Sequence, residues 1–271
     1  MACTHRYSSL QSILIKAFAV LMMFSGAGCA APARVQGSHY VHLLYQHGAS
    51  KHHRDSPLTV VFIEGDGIPW IDHGTQPAKD PTPAHPLAYH LFKSTPYRAW
   101  YLTRPCYNHV RDSACNNHAW TFARYSEPVV SSMSSVIAAT LKSQPPQRLI
   151  LVGHSGGGAL AALIAPRIPQ VAGVISIAGN LDTDAWTTLH GYEPLADSLN
   201  PAHVSGIDMP FIVLSGDRDT NVPLSSIANF LNAHPQVIVE HFADNDHVCC
   251  WEKHWPATLD DALARLNVIS R

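Results

Sequence analysis

The stretch Arg148-Leu149-Ile150-Leu151-Val152 runs directly into Gly153-His154-Ser155-Gly156-Gly157 and from there into GALAALIA. A near-continuous apolar run suits a strand covered on both faces, and the small apolar residues that follow suit a buried helix. The glycines between them let strand turn sharply into helix without side-chain collisions. A serine at such a turn sits in strained backbone geometry, its hydroxyl raised above the sheet beside the helix N-terminus. A phosphate-binding loop is excluded, because the lysine of GxxxxGK[ST] is missing.

Apolar runs bounded by Gly, Pro, Asn or Asp predict further strands over 39–45, 58–63, 99–102, 148–152, 171–177, 210–214 and 237–242. The clearest helices are predicted over 128–141, 157–167, 223–233 and 255–266. Strands alternating with helices imply an α/β fold, a mostly parallel central sheet with helices on both faces. In such a sheet the site lies at the carboxyl ends of the strands.

Two further segments at strand ends carry chemistry. FIVLSGDRDTNVP places Asp217 and Asp219 just past a buried strand, and HFADNDHVCCW places His247 in a loop ahead of the final helix. His241 is a rival to His247 but falls inside a predicted strand. Serine is a weak nucleophile until an imidazole accepts its proton, and a carboxylate must hold that imidazole in the right tautomer. The chain order Ser155, then an aspartate, then His247 provides the three groups. An oxyanion formed at the serine needs two N–H donors: Gly156 provides one, and the loop Glu64-Gly65-Asp66-Gly67 after LTVVFI the other.

Together the serine turn, the acid loop and the histidine loop resemble the α/β-hydrolase superfamily from Leu58 to the end of the chain. The strings IEGDG, RPC, RYS, GHSGGGALAALIA, IAGNLDTDAW and SLNPA resemble, more narrowly, a group of exported bacterial α/β-hydrolases. The resemblance implies the α/β-hydrolase fold, with Ser155 as nucleophile and His247 as base. It selects Asp219 as the acid through the pattern Gly216-x-x-Asp219-x-x-Val222-Pro223. The loop at Glu64 stands where lipases and esterases carry a His-Gly oxyanion loop, which implies the backbone of Gly65 or Asp66 as second donor. The implied reaction is hydrolysis of a small-molecule or lipid-like carboxylic ester through an acyl-enzyme, without a cofactor. A peptidase, a thioesterase and a non-catalytic envelope binding lipoprotein are the alternatives. Trp186, His190 and Tyr192, on the connection between the fifth and sixth predicted strands, either line an acyl or alcohol pocket or pack beneath that loop.

With a net charge of -2 over 271 residues, the chain has no electrostatic reason to bind nucleic acid or an anionic membrane surface. Its 18 histidines come without CxxC or HExxH spacing, so no metal site is expected. Arg6 and Lys16, the apolar run 17–24 and the small residues after it have the layout of a secretory signal. The expected organisation is a signal peptide over 1–28, a linker over 29–37 and one α/β-hydrolase catalytic domain over 38–271. Gly26-Ala27-Gly28-Cys29 resembles a lipobox, with Gly26 where Leu is usual, while Ala31-Pro32-Ala33 offers plain cleavage. The mature protein is then either a lipoprotein tethered to an envelope membrane through Cys29 or a soluble periplasmic protein. In that oxidising setting Cys106 and Cys115 form the simplest bridge, leaving Cys249 and Cys250 free or joined to each other. If Cys29 is acylated, the wild type stays with membranes through a high-salt wash and Cys29→Ser moves it to the soluble fraction. A soluble wild type whose N-terminus is Arg34 decides for cleavage after Ala33.

Overall fold

A computed structural model describes residues 31–145 and 147–269. The expected signal segment 1–28 and Cys29 lie outside the described residues. In chain order the strands are β1 (Ala33–Gln36), β2 (Val41–His47), β3 (Leu58–Ile63), β4 (Trp70–Ile71), β5 (Gln76–Pro77), β6 (Arg98–Leu102), β7 (Arg148–His154), β8 (Val171–Ile177), β9 (Phe211–Gly216) and β10 (Ile238–Phe242). The helices are α1 (Leu87–Ser94), α2 (Glu127–Lys142), α3 (Gly156–Ile164), α4 (Thr183–His190), α5 (Ala228–Ala233) and α6 (Trp255–Arg265). Eight strands form one sheet in the order β1-β2-β6-β3-β7-β8-β9-β10. From β6 to β10 the neighbours are parallel, while β1 with β2 and β2 with β6 are antiparallel. The mostly parallel α/β sheet expected from the alternation is therefore present.

Each face of the sheet has its own core. Val61, Ile63, Leu149 and Leu151 pack with Val130, Met133 and Val136 of α2 and Leu160 and Ile164 of α3. Val60, Phe62, Ile150 and Val152 point the other way and meet Leu91 and Phe92 of α1 and Trp255, Leu259 and Leu263 of α6. This alternation, apolar on both faces, explains why β3 is buried along its whole length. Trp255 is fully buried and donates its indole N–H to Thr95 Oγ1 at 3.0 Å, which satisfies the one polar atom it carries inside.

Several boundaries differ from expectation for identifiable reasons. Part of the expected linker 29–37 is a strand, since Ala33–Gln36 adds to the sheet edge against β2. The helix expected over 157–167 ends at Ile164 and closes with a 3-10 turn at Ala165–Arg167, where Pro166 has no N–H with which to continue it. The helix expected from Pro223 begins as a 3-10 turn, Leu224–Ile227, before α5. Among the described residues no helix is long and apolar enough to cross a membrane.

Cys106 and Cys115 are joined, with Cα atoms 5.5 Å apart, and Cys249 and Cys250 are joined to each other. The first bridge sits in a small cluster with Tyr107, Ala119 and Trp120, apart from the two main cores. It closes a loop too small to bury much of its own surface, so the cross-link limits the unfolded chain instead. Replacing both Cys106 and Cys115 by Ser should lower the stability by about 2–4 kcal/mol in urea denaturation. Non-reduced peptide mass spectrometry should find Cys106 linked to Cys115 and to neither Cys249 nor Cys250.

Candidate active site

The register of the sheet determines which residues meet. Ile63 at the end of β3 pairs with Leu102 of β6 on one side and Gly153 of β7 on the other. A few residues further along each chain, Asp66, Arg104 and Ser155 emerge together at the carboxyl edge. On the other side His154 pairs with Ile177, Ile177 with Leu214, and Phe242 with Gly216, so the ends of β8, β9 and β10 open onto the same edge.

Ser155 occupies the turn between β7 and α3 with φ 54° and ψ -123°, a left-handed conformation that non-glycine residues rarely adopt. The turn is held from several directions: Ser155 N–H donates to Ile177 O at 2.9 Å, and Ser155 O accepts from Gly158 and Asn180. A side chain at Gly157 would run into the carbonyl of Ile63, so only glycine lets α3 start this close to β3.

Ser155 Oγ lies 3.0 Å from His247 Nε2, and His247 Nδ1 lies 2.9 Å from Asp219 Oδ2. Asp219 is buried and shares its carboxylate between two jobs. Oδ1 accepts from the amides of Asn221 and Val222, both at 2.8 Å, which leaves Oδ2 facing the imidazole. Burial works to raise the pKa of Asp219; the bond and charge of His247 and the two amides outweigh it and hold the carboxyl below its ordinary value. The rivals are paired elsewhere: Asp217 Oδ1 meets His241 Nδ1 at 2.9 Å, with about half of each side chain in solvent. The structure thus brings Ser155, His247 and Asp219 together and sets Asp217 and His241 apart.

Gly65 comes so close to Ser155 that a Cβ on it would sit 3.2 Å from the serine Cβ. The Gly65 amide donates to Glu64 Oε1 at 3.1 Å, so it is engaged. No acceptor among the described residues takes the N–H of Asp66 or Gly156. Of the two donors expected from this loop, Asp66 is the one whose N–H is not engaged among the described residues.

The Asp66 side chain belongs to a cluster that the sequence reading missed. Its carboxylate bonds Arg104 through Oδ1, Arg124 through Oδ2 at 3.0 Å and the Tyr125 hydroxyl at 2.6 Å. Tyr107 donates its hydroxyl to Asp66 O at 2.9 Å, and the Arg104 guanidinium lies over the rings of Tyr107 and Tyr125. Oδ1 rests where a Cβ of Gly156 would otherwise be. Burial would raise the Asp66 pKa, but the two guanidinium charges and the Tyr125 bond hold it far below the ordinary carboxylate range. The only signal in the sequence is the pair of strings RPC and RYS, which nothing local connects to Asp66.

Trp186 Nε1 and His190 Nε2 both donate to Asn221 O, at 3.0 and 2.7 Å, which fastens α4 to the acid loop. Tyr192 stacks on His190 and is 56% exposed. These aromatics flank the acid loop; Trp186 is also packed against the core.

No protein-family model matches the sequence, and no curated protein matches it. Solved structures do. An esterase from Pyrococcus furiosus superposes with a TM-score of 0.60 at 11% identity, covering 87% of this chain and 91% of that one. A lidless α/β serine hydrolase from Xanthomonas campestris gives 0.57 at 13%, covering 87% and 95%. A puromycin hydrolase gives 0.58 at 17%, covering 88% of this chain and 39% of that one. The architecture is the α/β-hydrolase fold.

Asp66 gives a direct test of the charged cluster. Asp66→Asn leaves two buried guanidinium groups without their countercharge and should cost about 3–5 kcal/mol in urea denaturation at neutral pH. Because the folded pKa of Asp66 is depressed, its contribution is complete above the unfolded carboxyl value. The gap between wild type and variant should therefore narrow as the pH falls below about 4. An undiminished gap at low pH would show that the variant perturbs packing instead of charge.

Proposed function

We propose that this chain is a serine hydrolase that cleaves a carboxylic ester through an acyl-enzyme. The observation that carries this reading is the continuous chain of hydrogen bonds from Ser155 through His247 to Asp219, beside the amides of Gly156 and Asp66. As the Ser155 oxygen attacks the acyl carbon, His247 Nε2 takes the hydroxyl proton and Asp219 balances the charge that appears on the imidazole. The carbonyl oxygen becomes an alkoxide and meets the N–H groups of Gly156 and Asp66, neither of which has an acceptor among the described residues. Collapse of the tetrahedral species releases the alcohol, which receives its proton from His247. Water then attacks the acyl group with His247 again as base, and Ser155 is restored.

An apolar, lipid-like ester is the substrate this face suits. The large exposed apolar side chains among the described residues are Ile68, Ile71, Leu189, Tyr192 and Val248. All five lie on connections that leave the carboxyl ends of β3, β8 and β10. Between β8 and β9 the chain forms one short α-helix, α4, and a 3-10 turn at Pro201–His203, and among the described residues this connection is too short for a large cap. Export to the cell envelope, with or without a lipid on Cys29, belongs to the same proposal. Its supports are the signal-like N-terminus and a Cys106–Cys115 bridge that persists only outside a reducing cytosol.

Labelling with a fluorophosphonate tests for an activated serine whatever the natural substrate, and a panel of nitrophenyl esters, thioesters and anilides then ranks the bond cleaved. Ser155→Ala should lose both labelling and turnover while melting close to the wild type. Asp219→Asn should lower kcat by roughly 10³–10⁴-fold, because the imidazole loses the carboxylate that sets its tautomer. Asp217→Asn should leave turnover nearly unchanged; a crippled Asp217 variant beside an active Asp219 variant would move the acid to the other loop.

A further inference from the structure

We propose that His154, the residue before the nucleophile, is a positioning residue that holds the His247 main chain in line with Ser155. The proposal rests on the serine-hydrolase reading above and adds a residue to its machinery.

His154 closes β7 with its side chain buried, so its ring nitrogens must find partners inside the protein. Nε2 lies 2.8 Å from the carbonyl oxygen of His247. A carbonyl only accepts, so the proton is on Nε2, and in the neutral ring Nδ1 is then without one. Nδ1 lies 3.9 Å from Glu64 Oε1, too far for a hydrogen bond. The two imidazoles lie 5.1 Å apart between ring centres.

Consecutive residues therefore grip one histidine at two points. Ser155 takes the His247 side chain at Nε2, and His154 takes its main-chain oxygen. The rest of the loop folds on itself: Asp246 Oδ1 accepts from the amides of Val248 and Cys249, Asp246 N–H donates to Cys249 O, and Trp251 Nε1 donates to Asp246 O. Those bonds shape the turn, and the bond from His154 ties the turn to the nucleophile. Without it the imidazole could tilt away from Ser155 while the loop kept its shape.

Glu64 borders both His154 and the loop that carries Gly65 and Asp66. Its carboxylate is buried and accepts from the amides of Ala88 and Tyr89 at the start of α1 and from the Tyr101 hydroxyl. It also accepts from Gly65, the residue before Asp66. Those four donors satisfy the charge without His154. One side chain thereby faces both the loop that offers the Asp66 amide and the residue that holds the base.

The test uses His154→Ala and His154→Gln in the folded full-length domain. Glutamine retains an N–H donor at similar reach, whereas alanine has none. Misplacing a reacting group by about 1 Å can cost on the order of 100-fold. His154→Ala should therefore lower kcat and the fluorophosphonate labelling rate by about 10- to 100-fold, with KM little changed, and His154→Gln should recover most of the loss. Wild-type rates in His154→Ala overturn the proposal. So does a glutamine variant no faster than alanine when both melt like the wild type. A wild type that does not label at all would fail the hydrolase reading, and nitrogen-15 NMR of the histidines then judges His154 by itself. Support is a proton on His154 Nε2 and a His247 Nδ1 proton signal that is lost in His154→Ala and restored in His154→Gln. A proton found only on His154 Nδ1 overturns the proposal.

Discussion

A carboxylate taken out of water needs its countercharge nearby, and Asp66 has two. Arg104 follows β6, Arg124 precedes α2, and Asp66 follows β3, so the cluster ties three separate connections together beside the serine turn. Burying these ions is expensive, and their mutual attraction offsets that penalty only when the remaining hydrogen-bonding atoms are also satisfied. Tyr125, Tyr107 and the carbonyls of Arg124 and Thr121 supply most of those partners. One carboxylate between two guanidinium groups leaves the cluster with a net positive charge next to Gly156. That is the sign the proposed oxyanion would require.

The parallel sheet converts that local anchoring into a site. Parallel strands present their carboxyl ends on one edge, so four connections, after β3, β7, β9 and β10, reach Ser155 without any of them being long. The strained turn at Ser155 persists because α3 is packed along its length into the core and β3 and β8 close on the turn from both sides. Asp219 is oriented in the same economical way, with its own loop amides taking one carboxylate oxygen and leaving the other for the imidazole.

The polar groups behind this site are connected as well as individually satisfied. Glu64 begins the connection after β3 and also caps α1, whose first turn lies more than twenty residues further on. This explains why α1 escaped the sequence reading: Pro86 stands at its N-cap and offers no side-chain acceptor, and the acceptor comes from a different strand end. The same carboxylate takes up the Gly65 amide, which leaves Asp66 as the residue of that pair with a free N–H among the described residues.

From the sequence alone, the α/β alternation, the course of β3 and β8 and the serine turn were legible, because each is written in neighbouring residues. A buried strand shows as an apolar run and a sharp turn as its glycines. The edge strand β1 was not legible, because Ala33–Gln36 is polar and short and becomes a strand only when β2 offers it hydrogen bonds. Strand and turn propensity do not separate Asp217 from Asp219; the resemblance of the acid loop selected Asp219, and the tertiary structure sends that residue to His247 and Asp217 to His241 on the surface. The partnerships of Asp66 with Arg104 and Arg124, and of His154 with the His247 carbonyl, were likewise decided by the fold. Residues 20 to 93 positions apart meet there because strand register brings their loops to one edge, and a charge or a hydrogen bond depends on distance in space.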